Sequence, residues 1–279
     1  MISIEDIKVY AEGLDHPECV LYHPDGSVWA GGEAGQIYRI SEEGTVEEIA
    51  NTGGFILGIA LHPGKGWMAV CDLKKKCIWR LDMRSRALSV FAEGVEGHAF
   101  SIPNYACFDL NGNLYVSDSG KFRDTAGKIL KFGHDGKGDV WHAGPFNFAN
   151  GIALDAAQGF LYVVNSFAPS IERVSILKDG AAGEREVFVN FHKVVPDGIA
   201  FDDKNNLLVS CYTPNAILKI SPDRSISTLV DDWESHTLCN PTNIAFGGKN
   251  MEKLFVANLG RWHISVLEPG IKGLRLPGH

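Results

Sequence analysis

The stretch Asn150-Gly-Ile-Ala-Leu-Asp155 recurs in related forms along the 279-residue chain. Five further versions occur: Glu18-Cys-Val-Leu21, Leu57-Gly-Ile-Ala-Leu61, Asn104-Tyr-Ala-Cys-Phe-Asp109, Asp197-Gly-Ile-Ala-Phe-Asp202 and Thr242-Asn-Ile-Ala-Phe246. Subtracting successive first positions gives steps of 39, 47, 46, 47 and 45 residues. A period of about 40 to 50 residues is typical of a β-propeller, in which each repeat is one blade of four strands. The sequence therefore predicts an all-β, six-bladed propeller that spans residues 1–279 as a single domain.

Each repeat contains further short apolar runs separated by turn-forming residues. In the third repeat these runs are Leu114–Ser117, Lys128–Phe132 and Asp139–His142, of which the last is the most polar. Runs of this length and composition, joined by tight turns, indicate hairpins, so each blade should be a four-stranded antiparallel sheet. The sixth repeat has no clear outer strand, but the N-terminal Ile7–Gly13 resembles Leu88–Gly94 nearly letter for letter. We expect the N-terminal segment to join the last blade and close the ring, which would remove an exposed sheet edge.

Composition and charge narrow the class of partner. The net charge is −8 and the longest basic run is Lys74–Lys76, so neither nucleic acid nor an anionic membrane is an expected partner. No apolar stretch approaches the ~18 residues of a membrane helix, and the N-terminus lacks the features of a secretory signal. The six cysteines form no Cys-x-x-Cys pair. We therefore expect free thiols and a reducing, cytoplasmic setting.

The first residues of the six phrases should form a ring around the propeller axis. Four of them carry side-chain oxygens: Glu18, Asn104, Asn150 and Asp197. Two carboxylates and two carboxamides facing one small volume suit a hard divalent cation, and the lack of His or Cys argues against a zinc-type cage. Ca²⁺ is the expected ion, with Mg²⁺, Mn²⁺, Zn²⁺ and Fe²⁺ as alternatives. An alternative without a cation also stays open, because polar axial residues can hydrate a channel and Asn-Gly or Asp-Gly pairs form turns.

A second set of equivalent positions lies about 15 residues further on, at the end of each second strand: Asp72, Asp118, Asn165, Cys211 and Asn258. Asp and Asn at such junctions commonly bond the nearby backbone, so we expect most of this set to be structural. Asn165 and Asp118 are also candidates to orient Asn150 and Asn104. Among the loop histidines, His98 leads towards Asn104 and is the best candidate for a substrate contact.

These residues resemble those of the gluconolactonase and regucalcin-like lactonases, the senescence-marker-protein family. The resemblance covers nearly the whole chain and rests on four motifs in matching order and spacing: His16-Pro-Glu18, Pro103-Asn104, Asn150-Gly151 and Pro196-Asp197-Gly198. Members are six-bladed propellers that hold a divalent cation at the axis and typically hydrolyse sugar lactones, and some act on other lactones or organophosphates. The resemblance implies that Glu18, Asn150 and Asp197 are cation ligands and that Asn104 contacts the substrate.

The chain departs from the family pattern at two points. Many members follow the third-blade Asn with Asp, whereas Tyr105 follows Asn104 here, and regucalcin-type enzymes have an Arg where this chain has Ser101-Ile102-Pro103. The expected substrate contacts are therefore Asn104, His98 and Tyr105. Several aromatic residues fall on loops of the same rim and would suit a lactone less polar than a sugar lactone: Phe100, Phe146, Phe148, Phe167, Phe191, Tyr212 and Trp262.

The resulting hypothesis is a metal-dependent hydrolase that opens the ring of a small lactone. The cation would polarise the lactone carbonyl. Asp197 would serve first as a ligand and second as a base for the attacking water, and Glu18 would be the other catalytic carboxylate. Two alternatives stay open: a non-catalytic binding propeller of the NHL type, which uses similar Gly-Ile-Ala phrases, and a metal-dependent phosphotriesterase.

Overall fold

A computed structural model describes residues 1–278, which form six four-stranded antiparallel sheets and one short two-stranded ribbon. The innermost strand of each sheet contacts the innermost strands of both neighbouring sheets, so the six sheets close into a ring. The prediction of an all-β, six-bladed propeller with four-stranded blades is confirmed.

The strands follow one another in each blade from the axis outwards. After β1 (Lys8–Glu12), blade 1 contains β2 (Val20–Tyr22), β3 (Val28–Gly31), β4 (Gln36–Ile40) and β5 (Val46–Asn51), and blade 2 contains β6 (Ile56–Leu61), β7 (Trp67–Asp72), β8 (Cys77–Asp82) and β9 (Leu88–Ala92). The ribbon of β10 (Gly94–Val95) and β11 (His98–Ala99) precedes blade 3, which contains β12 (Pro103–Phe108), β13 (Leu114–Asp118), β14 (Gly127–Phe132) and β15 (Gly138–Phe146). Blade 4 contains β16 (Ala149–Leu154), β17 (Phe160–Asn165), β18 (Ser170–Ile176) and β19 (Ala182–Asn190), and blade 5 contains β20 (Val195–Phe201), β21 (Leu207–Thr213), β22 (Ala216–Ile220) and β23 (Ile226–Asp231). Blade 6 contains β24 (Pro241–Gly247), β25 (Lys253–Asn258) and β26 (His263–Leu267), and the described chain also has two 3₁₀ helices (Ile4–Asp6 and Leu259–Arg261).

The N-terminal strand completes the last blade. β1 pairs antiparallel with β26, with Lys8 opposite Val266 and Glu12 opposite His263. The outer strand that the sixth repeat lacks is therefore supplied by the other end of the chain, as predicted. This pairing covers the edge that β26 would otherwise expose.

The core lies between the blades. Buried apolar residues of the described chain form six clusters, and each cluster joins two consecutive blades. Since each inner strand is covered on both faces, it is apolar beyond its first residues, and β6 and β16 are buried throughout. Outer strands such as β23 are mostly exposed, which explains their polar sequences.

Glycine in the Gly-Ile-Ala phrase is required by the close approach of the inner strands. A Cβ atom on Gly151 would lie 2.5 Å from the Asp197 carbonyl oxygen, and one on Gly58 would lie 2.6 Å from the Asn104 carbonyl oxygen. Any larger residue would push the neighbouring backbone away. The glycines thus bring the ring residues of consecutive blades close to the axis.

The C-terminal tail crosses the opposite end of the channel. Gly273 N donates to Met251 O at 2.8 Å and Leu274 N donates to Phe201 O at 2.9 Å, so the tail is tied to blades 6 and 5. Together with the inner strands, the segment 274–277 lines a mainly apolar cavity of about 280 Å³ at this end. Within residues 1–278, no helix has the length and apolar character needed to cross a membrane.

Candidate functional site

A cavity of about 490 Å³ lies at the other end of the axis, where the inner strands begin. Glu18, Asn104, Asn150 and Asp197 all line it, and so does Leu57 from the second blade. Each of these residues stands just before its inner strand or among that strand's first residues. The structure therefore brings the four oxygen-bearing ring residues to one cavity from four blades.

Glu18 and Asp197 place two carboxyl groups deep in this cavity. Burial raises the pKa of Glu18 to about 7; the negative charge of Glu33 adds to the rise and a hydrogen bond with Thr242 opposes it. Burial also raises the pKa of Asp197 well above its usual range, with the charge of Glu18 adding to the rise and a hydrogen bond from Asn150 opposing it. Both shifts have the same cause, because burial disfavours the charged form of a carboxyl group. Two carboxylates in one buried volume need protons or a cation to neutralise them.

The side-chain amides of Asn104 and Asn150 have a defined orientation. Asn104 Nδ2 donates to Ser119 Oγ at 3.0 Å, and Asn150 Nδ2 donates to Ser166 Oγ at 3.1 Å. Each serine hydroxyl gives its only proton to a backbone carbonyl, so it can accept from an amide nitrogen but cannot donate to an amide oxygen. The amide oxygens are therefore the atoms of these side chains that can bind a cation in the cavity, while Asn104 keeps a second N–H that can donate to a substrate.

The same serine hydroxyls link neighbouring blades. Ser119 Oγ of blade 3 donates to the carbonyl of Ala149 at 2.6 Å, and Ser166 Oγ of blade 4 donates to the carbonyl of Pro196 at 2.9 Å. Ala149 and Pro196 directly precede the ring residues of the next blades. Each serine thus holds one ring side chain and the backbone beside the next. Neither serine is predicted from the sequence, although each directly follows a residue of the second set.

The second set of equivalent residues binds loop backbone, as expected for most of its members. Three of them accept an N–H group from the loop that precedes their own blade, at 2.8 to 3.0 Å: Asp72 from Phe55, Asn165 from Asn147 and Asn258 from Cys239. The expectation that Asn165 could orient Asn150 is not met, because the adjacent Ser166 makes that contact.

His98 is not among the described residues that line the cavity. Its Nε2 atom lies 2.9 Å from Asp118 Oδ2. Asp118 is buried and also accepts the backbone N–H of Ser101 at 3.1 Å and of Ile102 at 2.7 Å. The geometry assigns His98 and Asp118 to bracing the loop that leads into β12.

Tyr105 forms the floor of the cavity. Its hydroxyl donates to Asn243 Oδ1 at 3.4 Å, which joins blade 3 to the opposite blade 6 across the axis. Its side chain lines both the upper cavity and the apolar cavity below it. Burial raises the pKa of Tyr105, so the phenol stays neutral. The residue that departs from the family pattern therefore separates the two halves of the channel.

The wall of the cavity between the ring residues and the opening, which we call the upper wall, is largely aromatic. Phe122, Phe148 and Phe167 pack edge-to-face or tilted, with ring centroids 5.1 to 5.7 Å apart. The guanidinium of Arg123 lies 5.5 Å from the Phe122 centroid and 5.3 Å from the Phe167 centroid, within cation–π range. We call these three phenylalanines the aromatic wall.

The predicted set of rim aromatics is partly wrong. Phe100 and Phe146 are only 3% and 0% exposed and belong to the core between blades. Phe122 was missing from that set, yet it is 68% exposed at the cavity. Position on a loop does not fix whether a ring points outward or into the space between two sheets, which explains the error.

The donor set at the axis fits a hard cation by its chemistry. Within residues 1–278, no three His, Cys, Asp or Glu side chains gather as a metal site. The axial group instead combines two carboxylates with an asparagine, Asn150, whose amide nitrogen is already engaged. Oxygen-only sites of this kind suit Ca²⁺ or Mg²⁺, and a bound cation would offset the cost of the two buried carboxylates.

Comparison with known proteins agrees with this architecture. A family model described as SMP-30/Gluconolactonase/LRE-like region matches residues 16–259. The chain belongs to this family. The matched span includes all four ring residues, which lie between positions 18 and 197.

Two curated relatives and one solved structure are similar to this SMP-30/gluconolactonase family chain. A gluconolactonase of Zymomonas mobilis is 28% identical over 221 residues, which are 72% of this chain and 60% of the relative's length. A 6-deoxy-6-sulfogluconolactonase of Pseudomonas putida is 25% identical over 246 residues, 82% of this chain and 78% of the relative. The crystal structure of a calcium-binding protein, regucalcin, from Agrobacterium tumefaciens superposes with a TM-score of 0.80 at 18% identity, over 97% of this chain and 96% of that one. At this identity the structural similarity concerns the fold.

Proposed function

We propose that this protein is a divalent-cation-dependent lactonase, in which Glu18, Asn150 and Asp197 hold the cation and Ca²⁺ is the preferred ion. The observation that carries the proposal is the meeting of two half-buried carboxyls and an oriented asparagine at one cavity in a chain of the gluconolactonase family. The names of the two curated relatives, both lactonases, support the reaction class.

A cation at this point would withdraw electrons from the lactone carbonyl and lower the pKa of water. The residues of the chain orient the reactants around it. Asn104 donates one amide proton to Ser119, and its second amide proton is available to a substrate oxygen. Tyr105 closes the cavity from below, so the lactone must lie between this ring and the upper opening.

Hydrolysis requires one proton acceptor and returns that proton to the leaving group. The oxygen of water bonds to the carbonyl carbon while its proton passes to Asp197. The ring C–O bond then breaks, and the ring oxygen takes a proton to give a hydroxy acid. Asp197 suits this role by position, because it lines the cavity together with Glu18 and Asn150, and a bound cation would keep its carboxylate ionised and so able to accept a proton.

The test combines metal analysis with lactone hydrolysis. We expect the purified protein to bind about one Ca²⁺ by calorimetry, and to lose hydrolysis of a lactone panel after chelation. Asp197→Ala and Glu18→Ala should each abolish both binding and hydrolysis while the circular dichroism spectrum is retained. Glu96→Gln, which changes an exposed carboxylate outside the cavity lining, is the matched control and should behave as wild type. Full activity in either alanine variant, or after exhaustive chelation, would refute the proposal.

The same experiment separates the alternatives. A binding propeller of the NHL type would show neither cation binding nor hydrolysis. A phosphotriesterase would hydrolyse an organophosphate such as paraoxon, with the same dependence on Asp197, in preference to every lactone tested.

A further inference from the structure

The cavity is divided into a polar floor and an apolar wall. The oxygen-bearing ring residues and Tyr105 lie at its base, while the aromatic wall and other apolar side chains from the loops lie nearer the opening. Phe122 is 68% exposed although its ring contacts both other members of the aromatic wall. A large apolar side chain exposed at a concave site is typical of a surface that a ligand covers.

Several polar side chains near the base of the cavity already bond to other groups of the protein. Asn104 and Asn150 each use an amide proton on a serine. Ser166 donates to a carbonyl of the next blade, and the Tyr105 hydroxyl donates to Asn243. A polyhydroxylated ring needs a partner for every hydroxyl that it buries, because each unpaired one lowers affinity by roughly tenfold or more. The part of the cavity nearer the opening, where such hydroxyls would lie, offers mainly aromatic faces, with the guanidinium of Arg123 stacked over Phe122 and Phe167.

Building on the proposed lactonase function, we propose that the substrate is a lactone with an apolar substituent, aliphatic or aromatic, and not a polyhydroxylated sugar lactone. The lactone carbonyl lies at the floor near Asp197 and Glu18, and the substituent extends along the aromatic wall. A volume of about 490 Å³ is within the range of small-molecule sites, about 300 to 1,000 Å³, and leaves room for a substituent beyond one six-membered ring.

A homologous series of δ-lactones measures directly whether the substituent binds to the aromatic wall. δ-Valerolactone, δ-hexalactone, δ-octalactone and δ-decalactone share one reacting ring and differ only in the length of an alkyl chain. If the chain is buried against the wall, kcat/KM should rise about three- to fourfold for each added methylene until the wall is covered. D-Glucono-δ-lactone, which has the same ring with hydroxyl substituents, should be a poorer substrate than δ-octalactone.

Substitutions in the wall test where the selectivity arises. The double variant Phe122→Ala/Phe167→Ala should flatten the dependence of kcat/KM on chain length. Trp233→Ala is the matched control, because Trp233 is 75% exposed and lies outside the cavity lining, and it should keep the full dependence. Calcium affinity of the double variant should be unchanged, which also verifies that the site is intact.

The outcomes distinguish the two proposals. A flat series with glucono-δ-lactone as the best substrate would overturn the inference about the substituent while the lactonase proposal stands. Absence of hydrolysis for every lactone, with the cation bound, would overturn the lactonase proposal itself. A steep series that survives the double substitution would show that the wall does not bind the substituent.

Discussion

The half-buried carboxyl of Glu18 should destabilise the metal-free protein at neutral and alkaline pH. Its pKa is raised from 4.5 to about 7 in the folded state, mainly by burial. As pH rises from about 4.5 towards 7, the unfolded chain ionises before the folded one, so stability falls, and above 7 the loss is complete. A shift of this size, at 1.36 kcal/mol per pKa unit, corresponds to a loss on the order of 3 kcal/mol.

Glu18→Gln removes the charge and nearly preserves the shape, so it should relieve this loss. In the presence of chelator, we expect the variant to be more stable than wild type by on the order of 3 kcal/mol at pH 8, and by only about 1 kcal/mol at pH 5. Excess Ca²⁺ should reverse the order, because only wild type gains stability from tight cation binding.

The assay is urea unfolding followed by tryptophan fluorescence at both pH values, with and without chelator. Glu96→Gln again serves as the control and should show no pH-dependent difference from wild type. The reasoning is refuted if metal-free Glu18→Gln is no more stable than wild type at pH 8, or if its advantage is as large at pH 5.

Three further predictions concern the surroundings of the site. Ser166→Ala should weaken Ca²⁺ binding about 10- to 100-fold by calorimetry, because Asn150 Nδ2 loses its partner; unchanged affinity would show that the serine does not orient the asparagine. Tyr105→Phe should lower the free energy of unfolding by less than about 1 kcal/mol in urea, since the hydrogen bond to Asn243 is long at 3.4 Å. Tyr105→Ala should lower it by about 3 to 5 kcal/mol, because the missing ring leaves a cavity. Equal losses for the two variants would contradict the assignment of the ring as the floor. Deletion of residues 1–12 removes β1 and uncovers β26. The melting temperature should therefore fall and light scattering should reveal aggregation. An unchanged melting temperature and a monodisperse protein would mean that the pairing of β1 with β26 contributes little to stability.

The sequence was sufficient to predict the blades because the signal is repeated. Six versions of one apolar phrase, each buried on both faces, mark the inner strands and fix which residues meet at the axis. The roles of Ser119 and Ser166 were not predictable in the same way, since a hydroxyl can bond many partners and the decisive carbonyls belong to another blade.

The direction of the side chains was the other feature that could not be predicted from the sequence. That Tyr105 would cross the axis to Asn243 depends on space left by neighbouring blades, which no local pattern encodes. The same holds for His98, which follows the chain towards Asn104 but turns to Asp118. Spacing along the chain predicts which backbone positions converge, and packing then determines where their side chains point.

The phenol ring at the base of the upper cavity, with the tail across the opposite end, has a kinetic consequence. Substrate and product must use the same opening of the cavity to reach and leave the carboxylates. A channel open at both ends would let the product leave on the side opposite to the entering substrate. If the cavity hydrolyses a lactone as proposed, the acid that forms blocks the next substrate until it diffuses away. Inhibition by the product should accordingly be competitive, and kcat should fall as the product binds more tightly at the opening of the cavity.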